Sequence, residues 1–236
     1  MSAMRSRGQR PAEADSGRGD TDATSVRKKE IVVDLERIFL REGFRRITIG
    51  ELASRLHCSR RSLYNLAPSK EDLFVLVLDR LLTRIERKGR EAVERGVSNH
   101  ERIAGFVWPG LTETAGASPA FFADVASLSA ARRRLERHQE SRRRQLRALI
   151  EAGVRAGECR RVHPEVGAHM MLAAYRSVTD PAFLVTVGVS TTEAIREAHE
   201  LLLYGLLGRG VRVGARSARV RTGARALRVR TGARRS

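Results

Sequence analysis

Arg60, Arg61, Ser62 and Asn65 place two cations, a hydroxyl and a carboxamide within one short stretch. Such groups donate to phosphate oxygens and pair with base edges in a DNA major groove. They can do so only from a rigid support. The surrounding stretch, Thr48 to Leu66 (TIGELASRLHCSRRSLYNL), has the size of a helix-turn-helix. Thr48 and Glu51 form a capping-box pattern at a helix start. Leu52, Ala53 and Leu56 follow at helical spacing, and small Ala53 permits a close helix crossing. His57 and Cys58 make the turn. The hydroxyl of Ser59 can cap a second helix, which Leu63 and Leu66 return to the first. A plain pair of amphipathic helices in an all-helical protein has the same spacing, so the stretch must be weighed with its surroundings.

Composition points the same way. The 236 residues carry 45 Lys and Arg against 27 Asp and Glu, a formal charge of +18. That balance favours nucleic acid or an anionic surface over acidic small substrates. It is unevenly spread: residues 209–236 hold ten arginines and no acid. Within them Val220 to Arg225 (VRTGAR) recurs as Val229 to Arg234. This tail and the polar leader, residues 1–24, have little to bury and are expected to be disordered. The tail is either a tether to nucleic acid or a solvated extension. Two cysteines far apart, Cys58 and Cys159, give no disulfide framework, and a reducing cytoplasm is expected. No signal-peptide core or membrane-length apolar run is present.

The remaining chain reads as helices. Thr24 or Ser25 can cap the first, running to about Glu42, with Ile31, Leu35, Ile38 and Phe39 as its inner stripe and Gly43 as a left-handed stop. Its cations Lys28 and Lys29 would then lie in the first turn, within reach of phosphate. Pro68 ends the helix after the turn. Ser69 caps a long helix reaching beyond Arg90, whose wide apolar face from Leu73 to Ile85 requires neighbours on two sides.

Here the residues resemble a known family. Gly43-Phe44, Thr48-Ile49, Leu52-Ala53, Ser59, Leu63-Tyr64 and Pro68-Ser69-Lys70-Glu71-Asp72-Leu73-Phe74 are similar to the N-terminal domain of TetR-type (tetracycline-repressor-like) transcriptional regulators, over Arg27 to Arg87. The resemblance implies an all-α fold. A three-helix helix-turn-helix head, residues 25–90, precedes a larger helical ligand-binding and dimerisation domain, residues 91–208. It also implies phosphate contacts from Thr48, Tyr64 and Lys70, and base reading by Arg60, Arg61, Ser62 and Asn65, with Ser59 in the same DNA-binding set. The alternative for Tyr64 is a ring packed in the head, and for Lys70 a solvated amine. Three positions depart from the pattern. His57 replaces a turn glycine and should be slightly strained. Arg61 stands where glycine is frequent. Leu66-Ala67 replaces an aromatic pair, so Phe44 or Phe74 must fill the space.

In the body, Pro109-Gly110 should break or kink a helix begun near His100. Ser118-Pro119 starts another. A basic helix from about Ala130 to Ala156 should point its Arg132–Arg134 and Arg142–Arg144 clusters outward, with Leu135, Leu146, Leu149, Ile150 and Val154 inside. His163-Pro164 opens the next helix, and Ser190 with Glu193 caps a last one. Phe106, Trp108, Phe121, Phe122, Met170 and Tyr175 are candidate lining for an effector pocket, although core residues look the same. Met170, Met171, Leu202, Leu203 and Leu206 are a candidate homodimer interface, with the same ambiguity.

No catalytic constellation, phosphate-binding glycine loop or nucleophile elbow is found, and Cys159 with His163 supplies too few ligands for zinc. Neither a cofactor nor a metal is expected. The reading is a homodimeric DNA-binding regulator, a repressor of a palindromic operator on double-stranded DNA, relieved by a small molecule. Its competitors are a sequence-independent DNA-coating protein driven by the arginine tail, and an enzyme acting through the helical body.

Overall fold

The computed structural model describes residues 17–206 and is all helical over them. Residues 1–16 of the leader, residues 207–208 at the end of the expected body, where Gly208 is expected to stop the last helix, and the arginine tail lie outside the described residues. Ten helices follow in order. They are α1 (Gly17–Glu42), α2 (Ile49–Arg55), α3 (Arg60–Tyr64), α4 (Lys70–Arg95), α5 (Asn99–Thr112), α6 (Pro119–Ser127), α7 (Ser129–Arg155), α8 (Pro164–Val178), α9 (Pro181–Val187) and α10 (Thr191–Leu206).

Most boundaries follow the expected chemistry. Thr48 and Glu51 close a full capping box, and Ser59, Ser69 and Ser118 each accept a backbone N–H from the first turn they precede. Ser190 and Glu193 close another. Gly43 and Gly157 take the left-handed conformation that ends α1 and α7. Two boundaries differ. Helix α1 starts at Gly17, not at Thr24 or Ser25, so Lys28 and Lys29 lie mid-helix rather than in a first turn. Helix α5 runs through Pro109 to Thr112; proline removes one hydrogen bond but the surrounding packing holds the turn. Short α9, capped by Asp180, was not legible from periodicity.

Two cores form. The first gathers Leu35, Phe39, Phe44, Leu52, Leu63, Leu73, Phe74 and the inner face of α4, and takes in Phe121 and Val125 of α6 and Ala131 of α7. Its centre is aromatic. Phe44 stacks on Phe74 with centroids 4.6 Å apart, and Phe39 and Phe121 meet Phe74 edge-on at 5.7 and 5.4 Å. These rings supply the volume that Leu66-Ala67 does not. The second core joins α5, α7, α8 and α10 through Ile103, Phe106, Leu146, Ile150, Met171, Tyr175 and Ile195.

Polar clamps brace the first core and link it to the end of α5. Asp124 of α6 is buried and accepts the backbone N–H groups of Phe44 (2.6 Å) and Arg45 (3.3 Å), just past the end of α1. The N–H of Ser118 donates to the Leu40 carbonyl at 2.8 Å. Arg84 of α4 bonds Glu36 of α1 through both Nη atoms and Glu113, beyond α5, through Nε.

Removing the Asp124 acceptor leaves buried N–H groups unsatisfied. Asp124→Ala should therefore lose about 2–3 kcal/mol of stability in urea unfolding, and Asp124→Asn, which keeps an acceptor oxygen, clearly less. A second expectation concerns pH. Burial, with the charge of His100 adding to it, holds His199 down to about 4. The unfolded histidine takes a proton near its ordinary value of 6.5 while the folded one does not. Stability contributed at neutral pH should thus fall as pH drops from 6.5 towards 4. In urea titrations His199→Phe should flatten that slope by about one proton.

Candidate nucleic-acid interface

The head is assembled around Leu63, which is fully buried while its neighbours on α3 face outward. Arg61, Asn65 and Tyr64 are exposed, Tyr64 by 50%, and Ser62 is half-buried. The Tyr64 hydroxyl has no hydrogen-bond partner among the described residues, and its ring is not packed in the head core. Arg61, Tyr64 and Asn65 thus form one exposed donor surface on α3.

The other candidates have local duties. Thr48 Oγ1 donates to Glu51 Oε2 at 2.8 Å and accepts the Glu51 N–H at 3.2 Å. The Thr48 backbone N–H, at 2.7 Å, and then its hydroxyl both donate to the Glu51 carboxyl and hold it below its ordinary range. The hydroxyl of Ser59 accepts the Ser62 N–H at 3.0 Å and shares a hydroxyl contact with Ser62 at 2.9 Å. Arg60 does not project freely: its guanidinium lies back over Gly50 at the start of α2, where an added Cβ would come within 2.9 Å of Nη2. Lys70 is not merely a solvated amine. Nζ donates to the carbonyls of Arg45 (3.3 Å) and Ile47 (3.0 Å) and stands 5.5 Å from the Phe44 ring centroid. It fixes the loop between α1 and α2.

Sequence reasoning missed the support under the turn. His57 adopts φ 49°, as its place in a tight turn required. Arg27 of α1 reaches across to donate to the carbonyls of Leu56 (3.1 Å) and His57 (3.4 Å), neutralising the end of α2. No local signal marks Arg27; it became relevant only when α1 packed beside the turn. Arg45 and Arg46, also exposed, add cations on the loop before α2. A cleft between this loop, α2 and α6 is lined by Arg41, Glu42, Arg46, Glu51 and Arg55, with Arg55 paired to Glu42.

The six expected pocket residues do not come together. Phe121 belongs to the head core, and Phe122 beside it is 43% exposed. Met170 is 60% exposed. Only Phe106, Trp108 and Tyr175 meet in the body core, where Tyr175 Oη and His199 Nδ1 lie 2.7 Å apart and Trp108 packs edge-on to His199. Burial pushes the Tyr175 hydroxyl up. Nor do the described side chains of the interface set, which leave out Leu206, share a face: Met171 and Leu203 are buried core, Leu202 is half-buried, and the exposed large apolar side chains described on α8 and α10 are Val166, Met170, Leu201 and Tyr204. The α7 clusters also split. Arg132 and Arg144 are exposed, but Arg142 is buried.

Comparison with known proteins fits this architecture. The profile of the tetR family of bacterial regulatory proteins matches residues 31–77, and that of the tetracyclin repressor-like C-terminal domain matches residues 111–198. The chain belongs to the tetR family of transcriptional regulators. A curated relative, the uncharacterized HTH-type transcriptional regulator YhgD of Bacillus subtilis (strain 168), is 25% identical over 153 residues, covering 63% of this chain and 80% of that one. Among solved structures, a TetR-family regulator from Agrobacterium tumefaciens superposes with a TM-score of 0.65 at 14% identity, over 78% of this chain and all of that one. A transcriptional-regulator structure from Saccharomonospora viridis, in complex with choline, gives 0.67 at 16% identity with the same coverage. At such identities the likeness is one of fold. Among the described residues no helix is long and apolar enough to cross a membrane.

The left-handed turn gives a direct check on this tetR-family head. Replacing His57 by glycine removes the Cβ penalty at positive φ, offset in part by the unfolded chain's added freedom. His57→Gly should gain about 0.5–1 kcal/mol in urea unfolding, with DNA affinity unchanged.

Proposed function

We propose that this tetR-family regulator is a homodimeric repressor that reads a palindromic operator through α3 and leaves it when a small molecule binds the body. The observation that carries the reading is the α3 surface. Leu63 anchors the helix in the core while the side chains of Arg61, Tyr64 and Asn65 have no internal partner among the described residues, so their donors are available to DNA. Arg61 and Asn65 are the base-reading side chains: a guanidinium matches guanine, a carboxamide adenine. Tyr64 takes a phosphate, and exposed Arg46 on the loop before α2 adds a cation to the same head. Thr48, Ser59 and Lys70 shape the backbone that presents these groups, and the third N–H of Lys70 goes to phosphate.

Dimerisation uses the exposed stripe of Val166, Met170, Leu201 and Tyr204 on α8 and α10. Two heads held by one such interface fit half-sites spaced by a helical turn or its multiple. A ligand that binds one head separation better than the other shifts the equilibrium between bound and released states. The protein acts by binding, in the cytoplasm with its DNA. The arginine tail, with ten positive charges, favours a second reading in which DNA is bound without regard to sequence.

A salt titration on random and selected duplexes separates the two. The full chain should bind one selected palindrome at least about 100-fold more tightly than random DNA. Arg61→Ala combined with Asn65→Ala should remove most of that preference, about 1–3 kcal/mol per base contact, with non-specific binding nearly intact. A selection that yields no preferred sequence, with the double variant binding like the parent, would leave the tail as the source of DNA binding.

A further inference from the structure

One buried charge in the body pairs with no carboxylate among the described residues. Arg142 lies midway along α7 and is only 7% exposed. Its guanidinium sits over the Phe106 ring, with Cζ 4.5 Å from the centroid. Nη2 donates to the α5 carbonyls of Phe106 (3.0 Å) and Val107 (3.4 Å). Gly110 makes the room, since a Cβ there would stand 3.0 Å from Nη2. Nη1 is buried without a hydrogen-bond partner. Among the described residues no carboxylate forms an ion pair with this arginine. Glu86 is the acid whose charge reaches it, but Glu86 Oε1 is engaged by Nδ1 of buried His138 at 2.8 Å. Burial draws Arg142 down to about 10, which still leaves it charged at neutral pH.

A buried, unneutralised guanidinium is costly to keep. Two carbonyl dipoles and a ring face offset part of that cost and leave an open donor. The partner that best fits a guanidinium fork is a planar carboxylate, which takes two parallel hydrogen bonds. One arginine beside Glu86 suits a monoanion and disfavours a phosphate dianion. The surrounding core, with Phe106, Leu146, Ile150 and half-buried Trp108, suits an apolar remainder.

We propose that the effector of this regulator is an amphipathic monocarboxylate whose carboxylate pairs with Arg142 between α5 and α7. The proposal rests on the ligand-released reading above and names the ligand class for it. It also supplies a route to the head. An anion at Arg142 competes with the α5 carbonyls for the guanidinium. Glu113, just beyond α5, is held by Lys88 and by Arg84, and Arg84 also holds Glu36 of α1. A shift of the last turns of α5 therefore reaches α1 through charged hydrogen bonds.

Trp108 is the chain's single tryptophan and reports on this core. Its fluorescence should be followed as the full chain is titrated with octanoate, phenylacetate and 4-phenylbutyrate. Each is run beside its primary amide, with octyl phosphate and choline as further probes. At least one carboxylate should bind about tenfold or more tightly than its amide and than octyl phosphate, and choline should not bind. Arg142→Met should abolish that difference without lowering the melting temperature, since it removes an unpaired buried charge; Arg142→Lys should retain part of it. The idea fails if no carboxylate binds, if amides or octyl phosphate bind as well, or if Arg142→Met binds like the parent. Should Arg142→Met melt early, the carboxylate-to-amide ratio and Arg142→Lys decide the matter. Operator preference is measured on the same unliganded samples. Intact preference without carboxylate binding overturns the ligand class alone, whereas lost preference overturns the regulator reading and leaves the titration to judge the site.

Discussion

Helix α4 buries Leu73, Phe74, Val77, Leu78, Leu81, Leu82 and Ile85 along one wide face. Each such side chain contributes on the order of 1.5–3 kcal/mol when withdrawn from water. No single neighbour can cover that face. Helices α1, α2 and α3 cover one part, α6 and the start of α7 another, and α5 packs along its later turns, where Gly89 lies against the Phe106 ring. Head and body therefore share a wall. The recognition helix is held by the same apolar surface that locates α6, and Phe74 touches Phe39, Phe44 and Phe121 together.

Apolar packing fixes proximity but not orientation; buried polar groups supply that. Asp124 accepts two N–H groups at the loop that leads into α2, so α6 cannot slide without exposing them. Glu36 is buried on α1 and depends on Arg84 and Arg80 of α4. Burial works against the charge of Glu113, yet Lys88 and Arg84 hold its carboxyl below the ordinary range. The bond to Glu36, with that to Glu113, raises Arg84 further above its already high value against the opposing effect of burial. These contacts bind α1, α4, α6 and the end of α5 into one frame. A displacement in the body is then felt at the head through directional bonds.

Within the head, the side chains sort by what they already satisfy. Thr48, Ser59, Lys70 and Arg27 are occupied with backbone groups at helix ends and turns. Arg61, Tyr64 and Asn65 are not. This division suits recognition. A reading surface needs a backbone fixed before DNA arrives, because ordering it on binding would subtract from affinity.

Local chemistry was legible in the sequence. Capping residues, apolar spacing and stop signals are properties of neighbours in the chain. They marked the starts of α2, α3, α4, α6 and α10 and the ends of α1 and α7; the strained turn at His57 came from its departure from the family pattern. Family resemblance supplied the architecture. Arg142 lay within reach of the same reasoning: Ala131, Leu135, His138, Arg142, Leu146 and Ile150 follow one another at spacings of three or four, an inner stripe. Grouping it with Arg143 and Arg144 as a surface cluster overrode that period. Other features could not be read locally. Whether Phe121 served the head or a pocket, whether Met171 or Met170 faced solvent, and what Arg27, Lys70 and Asp124 bonded depended on which distant elements met. Spacing fixes which side of a helix a residue occupies. Only the packed structure decides what stands opposite, because that follows from covering all the apolar faces and satisfying the buried polar groups at once.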